Sequence, residues 1–328
     1  MKKFYYKKKI LITGGLGFIG SNLARFLVNN GAIVTIIDNL HKDYGGNLFN
    51  ISDFKSKVNL KIGDIRNKKV MTDLVKDKHI IFHLASQTSH MGSMNDPISD
   101  LEINIIGQVQ ILELCKQFNP KVKIIYSSTR QLYGTPDYLP VDEKHKIQPV
   151  DVNGINKYTA ERYLILYSKV YGINYSILRM TNIFGPGIRI KDAKQMFLGI
   201  WIKSLIEGKS FKVYGSGDQL RDFLFIDDCI EALLLVGRSD ISNKKIYNIG
   251  NNKALSLTEL AKLIINLGNG GSFDYIQFPK NRKSIDIGDF FSDYSYIYND
   301  LGWQPKVSIK DGLNTTIKFY KKNYSNYN

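Results

Sequence analysis

Short apolar runs alternate with amphipathic segments through the first half of the chain. The apolar runs predict β-strands at 8–13, 32–38, 58–64, 79–85, 121–128 and 174–180. The segments between them predict helices at 18–30, 99–118 and 151–171. Most of the strands are hydrophobic throughout, which is typical of a parallel sheet covered on both faces. The pattern therefore predicts an α/β protein with a doubly wound parallel sheet.

The alternation breaks into shorter, less regular pieces after the stretch "NIFGPG". A chain of 328 residues also exceeds the size at which one hydrophobic core usually suffices. We therefore predict a first domain at 1–183, to which a segment near 222–250 returns. The rest, mainly 184–328, is predicted to form a smaller C-terminal α/β lobe that binds substrate.

The charge and cysteine content limit the binding partners and the cellular location that the sequence allows. Lys and Arg number 45 against 30 Asp and Glu, but the only dense basic run is "KKFYYKKK" at the N-terminus. This distribution favours a basic tail over a surface for nucleic acid or membrane. No apolar run reaches the roughly 18 residues that span a bilayer. Cys115 and Cys229 lack metal or redox spacing, which predicts buried thiols, no metal site and a cytoplasmic location.

A glycine-rich stretch, "TGGLGFIG", follows the first strand and opens the first long helix. Gly14, Gly17 and Gly20, with Phe18 and Ile19 between them, would let the backbone approach a pyrophosphate at the helix N-terminus. Asp38 ends the second strand, where a carboxylate can accept both ribose hydroxyls of an adenosine and repels a 2′-phosphate. The stretch predicts a dinucleotide site that favours NAD over NADP.

Ligands of open parallel sheets bind beyond the carboxyl ends of the strands. The residues that follow the second, third and fourth predicted strands are therefore further candidates for cofactor contact. They are Asn39, Asp64, Ile65, Leu84, Ala85 and Ser86.

Several motifs occur in a characteristic order along nearly the whole chain: "TGGLGFIG", "FHLAS", "SSTRQLYG", "RMTNIFGPG", "GSGDQLRDFLFIDD" and "LGWQPKVSIKDGL". As a set they resemble the extended short-chain dehydrogenase/reductase family, in particular its NAD-dependent nucleotide-sugar epimerases and dehydratases. The resemblance implies a Rossmann-type sheet, NAD as cofactor, a nucleotide-diphosphate sugar as substrate, and a homodimer or higher homo-oligomer.

The family's chemistry begins with oxidation of a sugar hydroxyl, usually on carbon 4. The resemblance implies three residues for this step: a Ser or Thr after a sheet strand, and a Tyr-x-x-x-Lys pair on the next helix. Thr129 and Lys157 match the hydroxyl and the lysine, but Asn153 stands at the tyrosine position. An asparagine amide can orient a hydroxyl or a water, but it cannot remove a proton at any useful pH.

Another group must therefore take the proton if the protein is an enzyme. His90 lies in a loop that the family uses to line the sugar pocket, and histidine exchanges protons near neutral pH. A reoriented Tyr133 and a Lys157 made less basic by burial are the other candidates. The sequence leaves all three open.

Polar and cationic residues stand at positions where the family binds its substrate. Asn182 and Arg221 match positions that meet the nucleotide or its diphosphate, and either Arg282 or Lys283 matches a further phosphate-binding arginine. Gln87 and Arg189 are further candidates for substrate contact. Arginine suits bidentate contact with phosphate.

The resemblance predicts either a 4-epimerase or a net 4-dehydrogenase that yields a 4-keto sugar. Arg130 and Gln131 follow Thr129 where the dehydratases carry an acidic pair, which argues against 4,6-dehydration. The alternative is a catalytically impaired protein that binds NAD or a sugar nucleotide.

Overall fold

The computed structural model describes residues 2–41, 43–192 and 196–328. Its strands are β1 (Lys9–Thr13), β2 (Ile33–Asp38), β3 (Val58–Ile62), β4 (Ile80–His83), β5 (Lys123–Thr129), β6 (Asn174–Met180), β7 (Asn182–Phe184), β8 (Phe211–Tyr214), β9 (Leu220–Phe225), β10 (Lys245–Ile249), β11 (Ala254–Ser256) and β12 (Phe273–Ile276). Seven of them form one parallel sheet in the order β10-β6-β5-β4-β1-β2-β3. The carboxyl ends of these strands therefore share one edge of the sheet.

The α-helices are α1 (Lys2–Tyr5), α2 (Phe18–Asn29), α3 (Lys68–Val75), α4 (His90–Asn95), α5 (Pro97–Leu101), α6 (Gly107–Phe118), α7 (Val152–Tyr171), α8 (Phe197–Ile206), α9 (Ile226–Arg238), α10 (Leu257–Gly268), α11 (Lys280–Lys283), α12 (Ser295–Leu301) and α13 (Ile309–Asn323). A π-helical turn, Glu102–Ile106, joins α5 to α6. No helix of the described ranges is both long and apolar enough to cross a bilayer.

Both faces of the large sheet are buried because alternate strand residues enter opposite cores. In β1, Ile10 and Ile12 pack in the core that contains Leu23 of α2. Leu11, between them, packs in the second core with Leu164 of α7. This arrangement explains why the strands are hydrophobic throughout.

The C-terminal part of the chain adds two small sheets beside the carboxyl edge of the large one. One has the order β11-β9-β7 and the other pairs β12 with β8. Helices α8, α10 and α13 pack against one another and against β8, β9 and β11. These elements form the second wall of the crevices described below.

The predicted fold class, a doubly wound parallel sheet of Rossmann type, is confirmed. Each predicted strand begins and ends within two residues of the observed bounds; the third stops at Ile62, and the next turn is at 65–66. The helix predicted at 99–118 begins earlier, at Pro97, because Asp96 caps it and proline is favoured in the first turn. Within the segment predicted to return near 222–250, β10 joins the edge of the large sheet and β9 joins a small one.

Candidate active site

Two crevices open at the carboxyl edge of the large sheet. The first crevice is bordered by the glycine turn after β1, the ends of β2, β4 and β5, and the start of α7. The second crevice lies between that edge and the C-terminal part of the chain. Four of the described residues border both crevices: His90, Arg130, Asn182 and Met196. This shared boundary is called the junction below.

The glycine turn brings backbone close to the first crevice. Gly14 has a φ of +70°, and a Cβ there would lie 2.8 Å from the backbone nitrogen of Ala85. A Cβ on Gly20 would lie 2.3 Å from the carbonyl oxygen of Gly14. Gly17 precedes α2 and no side chain caps that helix. The amides of its first turn are therefore available to an anionic ligand.

Asp38 lies beside this turn, and both its carboxylate oxygens are held by backbone amides. Oδ2 accepts a hydrogen bond of 3.0 Å from Leu16 and Oδ1 one of 2.9 Å from Leu40. Burial raises the pKa of Asp38, while these two amides lower it. Each oxygen keeps a lone pair for a ribose hydroxyl.

Further along the first crevice, the carboxylate of Asp64 is paired within the protein. Arg66 bonds both of its oxygens, at 3.0 and 2.9 Å, and Asn39 donates to it at 3.0 Å. The hydrogen bond from Arg66 is the main reason that the pKa of Asp64 falls to about 2. The other predicted cofactor residues, Phe18, Ile19, Ile65, Leu84, Ala85 and Ser86, also line this crevice.

Lys157 and Thr129 lie where the first crevice approaches the junction. The Lys157 ammonium donates to the carbonyl oxygen of Ser127 at 2.9 Å and lies 4.9 Å from the centre of the Tyr126 ring. Burial lowers the pKa of Lys157 to about 8. The Thr129 hydroxyl oxygen accepts from the amide of Gln131 at 3.2 Å, which leaves its proton free to be donated.

Asn153 is fixed by a buried network of amides around one carboxylate. Its Nδ2 donates to the carbonyl oxygen of Gln87 at 2.9 Å and to Oδ2 of Asp100 at 3.1 Å. Oδ1 of Asp100 accepts from Asn104 at 2.9 Å and from Asn156 at 2.8 Å. Both amide hydrogens of Asn153 are therefore used, and its oxygen is left as an acceptor at the first crevice.

His90 stands at the junction with a buried carboxylate behind it. Its Nδ1 lies 2.8 Å from Oδ2 of Asp151, whose side chain is fully buried. Oδ1 of Asp151 also caps α7 by accepting from the amide of Gly154 at 2.6 Å. The two groups are therefore within ion-pair distance, although neither Nδ1 of His90 nor Oδ2 of Asp151 has a hydrogen-bond partner among the described residues.

Tyr133, a sequence candidate for the base, borders neither crevice and is fully buried. Its hydroxyl donates to Oδ1 of Asn248 at 2.7 Å and accepts from Arg179 at 2.8 Å. Burial raises the pKa of Tyr133 above its ordinary value. A base role for Tyr133 is therefore withdrawn, because its hydroxyl is held inside the protein by two polar partners.

Arg221 and Arg282 border the second crevice together with aromatic side chains. Nη2 of Arg221 pairs with Asp286 at 3.0 Å, and its Nη1 donates to the carbonyl oxygen of Leu220 at 3.0 Å. The Arg282 guanidinium lies 5.6 Å from the centre of the Tyr214 ring. Arg282 is thus the less constrained of the two.

Two residues predicted to contact substrate border neither crevice. The amide of Gln87 bonds back to Ser89 in its own loop, with Nε2 donating to the carbonyl oxygen at 2.9 Å. Arg189 pairs with Asp192 at 2.6 Å. Substrate contact by these two residues stays a prediction, and each side chain is bonded to a neighbour that borders neither crevice.

The structure adds three residues that the sequence did not single out: Asp100, Asp151 and the guanidinium of Arg130. Asp151 precedes a helix and has an N-cap pattern, so its cap was readable from local sequence. Its pairing with His90 was not readable, because the two residues come from separate loops. The contacts of Asp100 and Arg130 could not be predicted from the sequence, because they involve side chains that only the fold brings together.

Comparison with known proteins places this site in a family. The sequence profile described as the NAD dependent epimerase/dehydratase family matches residues 10–250. A putative UDP-glucose 4-epimerase from Methanocaldococcus jannaschii is 34% identical over 96% of this chain and 99% of its own length. A CDP-paratose 2-epimerase from Salmonella typhi is 32% identical over 93% of this chain and 97% of its own.

A solved structure is similar over the same extent. It is a UDP-glucose 4-epimerase from Thermotoga maritima with UDP-glucose, at a TM-score of 0.89 and 30% identity. The match covers 96% of this chain and 99% of the Thermotoga maritima chain.

Proposed function

The chain belongs to the NAD-dependent epimerase/dehydratase family, and we propose that it oxidises a nucleotide-linked sugar at carbon 4. NAD is the cofactor of this family and accepts the hydride. The observation that carries the proposal is the junction, where a dinucleotide crevice meets a crevice bordered by Arg221 and Arg282. A sugar tethered through its diphosphate in the second crevice would present its ring to the nicotinamide in the first.

The first crevice suits NAD residue by residue. The uncapped start of α2 receives the pyrophosphate, Asp38 receives the adenosine ribose, and Lys157 holds the nicotinamide ribose. Thr129 and the oxygen of Asn153 are left to orient the reacting sugar hydroxyl. NAD supplies the hydride acceptor, and these residues position the sugar against it.

We assign proton removal to His90, assisted by Asp151. His90 is at the junction, and the buried carboxylate of Asp151 lies 2.8 Å from its Nδ1, so a negative charge is close to the ring when it takes a proton. Asn153 accepts a hydrogen bond from the sugar but cannot accept its proton. The roles that a single tyrosine plays in relatives are divided here between an orienting amide and a separate base.

Two outcomes follow from the same oxidation. Hydride returned to the opposite face of the rotated keto sugar gives a 4-epimer, and release of the keto sugar makes the protein a net 4-dehydrogenase. A 4,6-dehydration requires further acid and base groups after Thr129. The neighbours there, Arg130 and Gln131, do not serve, and the Gln131 amide is bonded to the carbonyl oxygen of Ile285 at 3.2 Å.

The test is a spectroscopic assay on the purified protein. Each of UDP-, GDP-, CDP- and dTDP-linked hexoses is added to the NAD-loaded protein, and absorbance of reduced nicotinamide is recorded. Reduction followed by re-oxidation to an epimer supports the epimerase, and accumulation of keto sugar supports the dehydrogenase. Binding of a nucleotide sugar without any reduction would instead support a catalytically impaired binding protein.

We also propose a homodimer formed through α5, α6 and α7. Helices α5 and α7 and the π-helical turn before α6 expose apolar side chains that are each more than a third accessible: Ile98, Leu101, Ile106, Leu166 and Val170. Leu164 does not belong to this face, because it is fully buried in the core. Light scattering on the intact protein decides the assembly. The cytoplasmic location stays a prediction from the sequence.

A further inference from the structure

Arg130 follows Thr129 directly and borders both crevices. Its Nη2 donates to Oδ1 of Asn182 at 3.0 Å, and its guanidinium carbon lies 5.2 Å from the centre of the Phe290 ring. Its Nη1 is shielded from solvent and has no hydrogen-bond partner among the described residues. A guanidinium has five N–H donors, so most of those on Arg130 are unmet.

The charge on this guanidinium is also uncompensated. Three carboxylates influence it, Asp222, Asp286 and Asp151, but among the described residues none of them forms a hydrogen bond or ion pair with it. Asp286 pairs with another arginine at 3.0 Å, Asp151 lies 2.8 Å from the histidine, and Asp222 accepts from backbone amides at 3.1 and 3.2 Å. Burial lowers the pKa of Arg130 to about 10, so the group is still a cation at neutral pH.

A buried cation without a partner lowers the stability of the protein unless a bound ligand supplies the opposite charge. The anionic group that completes Arg130 has two sources in a sugar nucleotide, the diphosphate and the sugar itself. Arg221 and Arg282 border the second crevice alone, which suits the diphosphate. Arg130 instead stands at the junction, beside the threonine assigned to the reacting sugar.

We propose that Arg130 binds a carboxylate carried by the hexose, which makes the substrate a nucleotide-linked uronic acid. The planar guanidinium matches a carboxylate with two parallel hydrogen bonds, whereas a neutral hydroxymethyl group leaves the charge unpaired. The inference rests on the proposed function, because it takes the junction as the place where the sugar reacts.

The test compares UDP, UDP-glucose and UDP-glucuronate by calorimetry on the NAD-loaded protein. Wild type is expected to bind UDP-glucuronate about 10- to 100-fold more tightly than UDP-glucose, the usual range for a hydrogen-bonded charge pair. In Arg130→Met this preference should vanish while the affinity for UDP stays the same. Arg282→Met is the matched control: it should weaken all three ligands and keep the preference.

Each other result tells against the proposal. No preference in wild type, or a preference that survives in Arg130→Met, overturns it. A loss of UDP affinity in Arg130→Met would assign the guanidinium to the diphosphate instead.

A second measurement does not depend on a ligand. The melting temperature of Arg130→Met without ligand should rise, because an apolar side chain replaces an unpaired buried cation. A fall would make Arg130 a structural residue. If the assay above identifies another nucleotide, that nucleotide replaces UDP in all three ligands. Failure of every nucleotide and nucleotide sugar to bind would contradict the proposed function, and this melting temperature would still decide whether the Arg130 charge is uncompensated.

Discussion

The two crevices meet at the junction but are lined by different kinds of groups. The first crevice is lined largely by backbone and short side chains at the ends of parallel strands, and its acidic residues are held by local partners such as Leu16, Leu40 and Arg66. The second crevice is lined by aromatic rings and long cations from helices and small sheets. A cofactor site can thus be set by backbone geometry, whereas substrate choice depends on a few long side chains.

The largest expected effect comes from Gly20→Ala in the first crevice. The added Cβ would meet the carbonyl oxygen of Gly14 at 2.3 Å, so the turn must open and its amides leave the pyrophosphate position. We expect loss of bound NAD, measured by nicotinamide absorbance and calorimetry. Gly172→Ala is the control: its φ of +76° is strained for alanine, but it has open space around it. That variant should lose stability and keep NAD; retention of NAD by both would contradict a backbone-built site.

The next effect separates the candidates for the base at the junction. His90→Asn should lower kcat by about 10²- to 10⁴-fold, the usual contribution of a general base, with little change in NAD affinity. Tyr133→Phe should keep kcat within a few fold, because its hydroxyl is held inside the protein. Steady-state kinetics on both variants decide the assignment.

Asp151→Asn refines the same assignment. Asparagine still caps α7 but no longer carries the charge beside His90. Loss of this negative charge disfavours the protonated ring, so the acid limb of the kcat–pH profile should move to lower pH, a readout that a purely structural Asp151 would not give. A wild-type rate in His90→Asn would remove the histidine from the mechanism.

A smaller effect is expected on folding from Asn153→Asp. The new carboxylate would face Oδ2 of Asp100, now 3.1 Å from the amide, and the carbonyl oxygen of Gln87. We expect a loss of about 2–3 kcal/mol in unfolding free energy near neutral pH, since a buried hydrogen bond becomes a repulsion. The loss should shrink at acid pH, where the carboxyls share a proton.

The control for Asn153→Asp exchanges the two groups. Asp100→Asn combined with Asn153→Asp leaves one carboxylate and one amide at the same contact, so much of the stability should return. Thermal unfolding of the three proteins is the measurement. Equal stability of Asn153→Asp and wild type would show that the amide direction described for Asn153 is wrong.

The smallest expected effect is a change in turnover with pH. Burial places the pKa of Lys157 at about 8, so the side chain is charged below that pH and neutral above it. If its cation holds the cofactor ribose while His90 takes the proton, kcat should fall as pH rises through about 8. A kcat that rises through about 8 would make neutral Lys157 the base. The kcat–pH profile of wild type distinguishes these outcomes.

The contrast between the crevices also explains what the sequence could predict. Strand bounds and the glycine turn follow from local pattern, and Gly14, Gly20 and Asp38 lie at the first crevice as predicted. The partners of Arg189 and Gln87 could not be predicted, because they depend on distances that local sequence does not contain. The closeness of Asp151 to His90 could not be predicted for the same reason.

The identity of a residue was readable from the sequence, whereas the hydrogen-bond partners of its side chain were not. An asparagine at the tyrosine position was visible in the sequence and directed attention to another base, His90, whose role is a proposal. Its orientation was not visible, since it depends on Asp100 and on the carbonyl of Gln87. The roles of Thr129, Lys157 and the other site residues stay proposals until the variants above are measured.

The amide of Asn153 has a consequence for anyone who would engineer the site back to its relatives' form. A phenol offers one O–H donor, where the amide offers two N–H donors that are both in use. A lone Asn153→Tyr replacement would deprive Asp100 and the Gln87 carbonyl of their shared donor. A tyrosine at this position therefore requires matching changes at its neighbours.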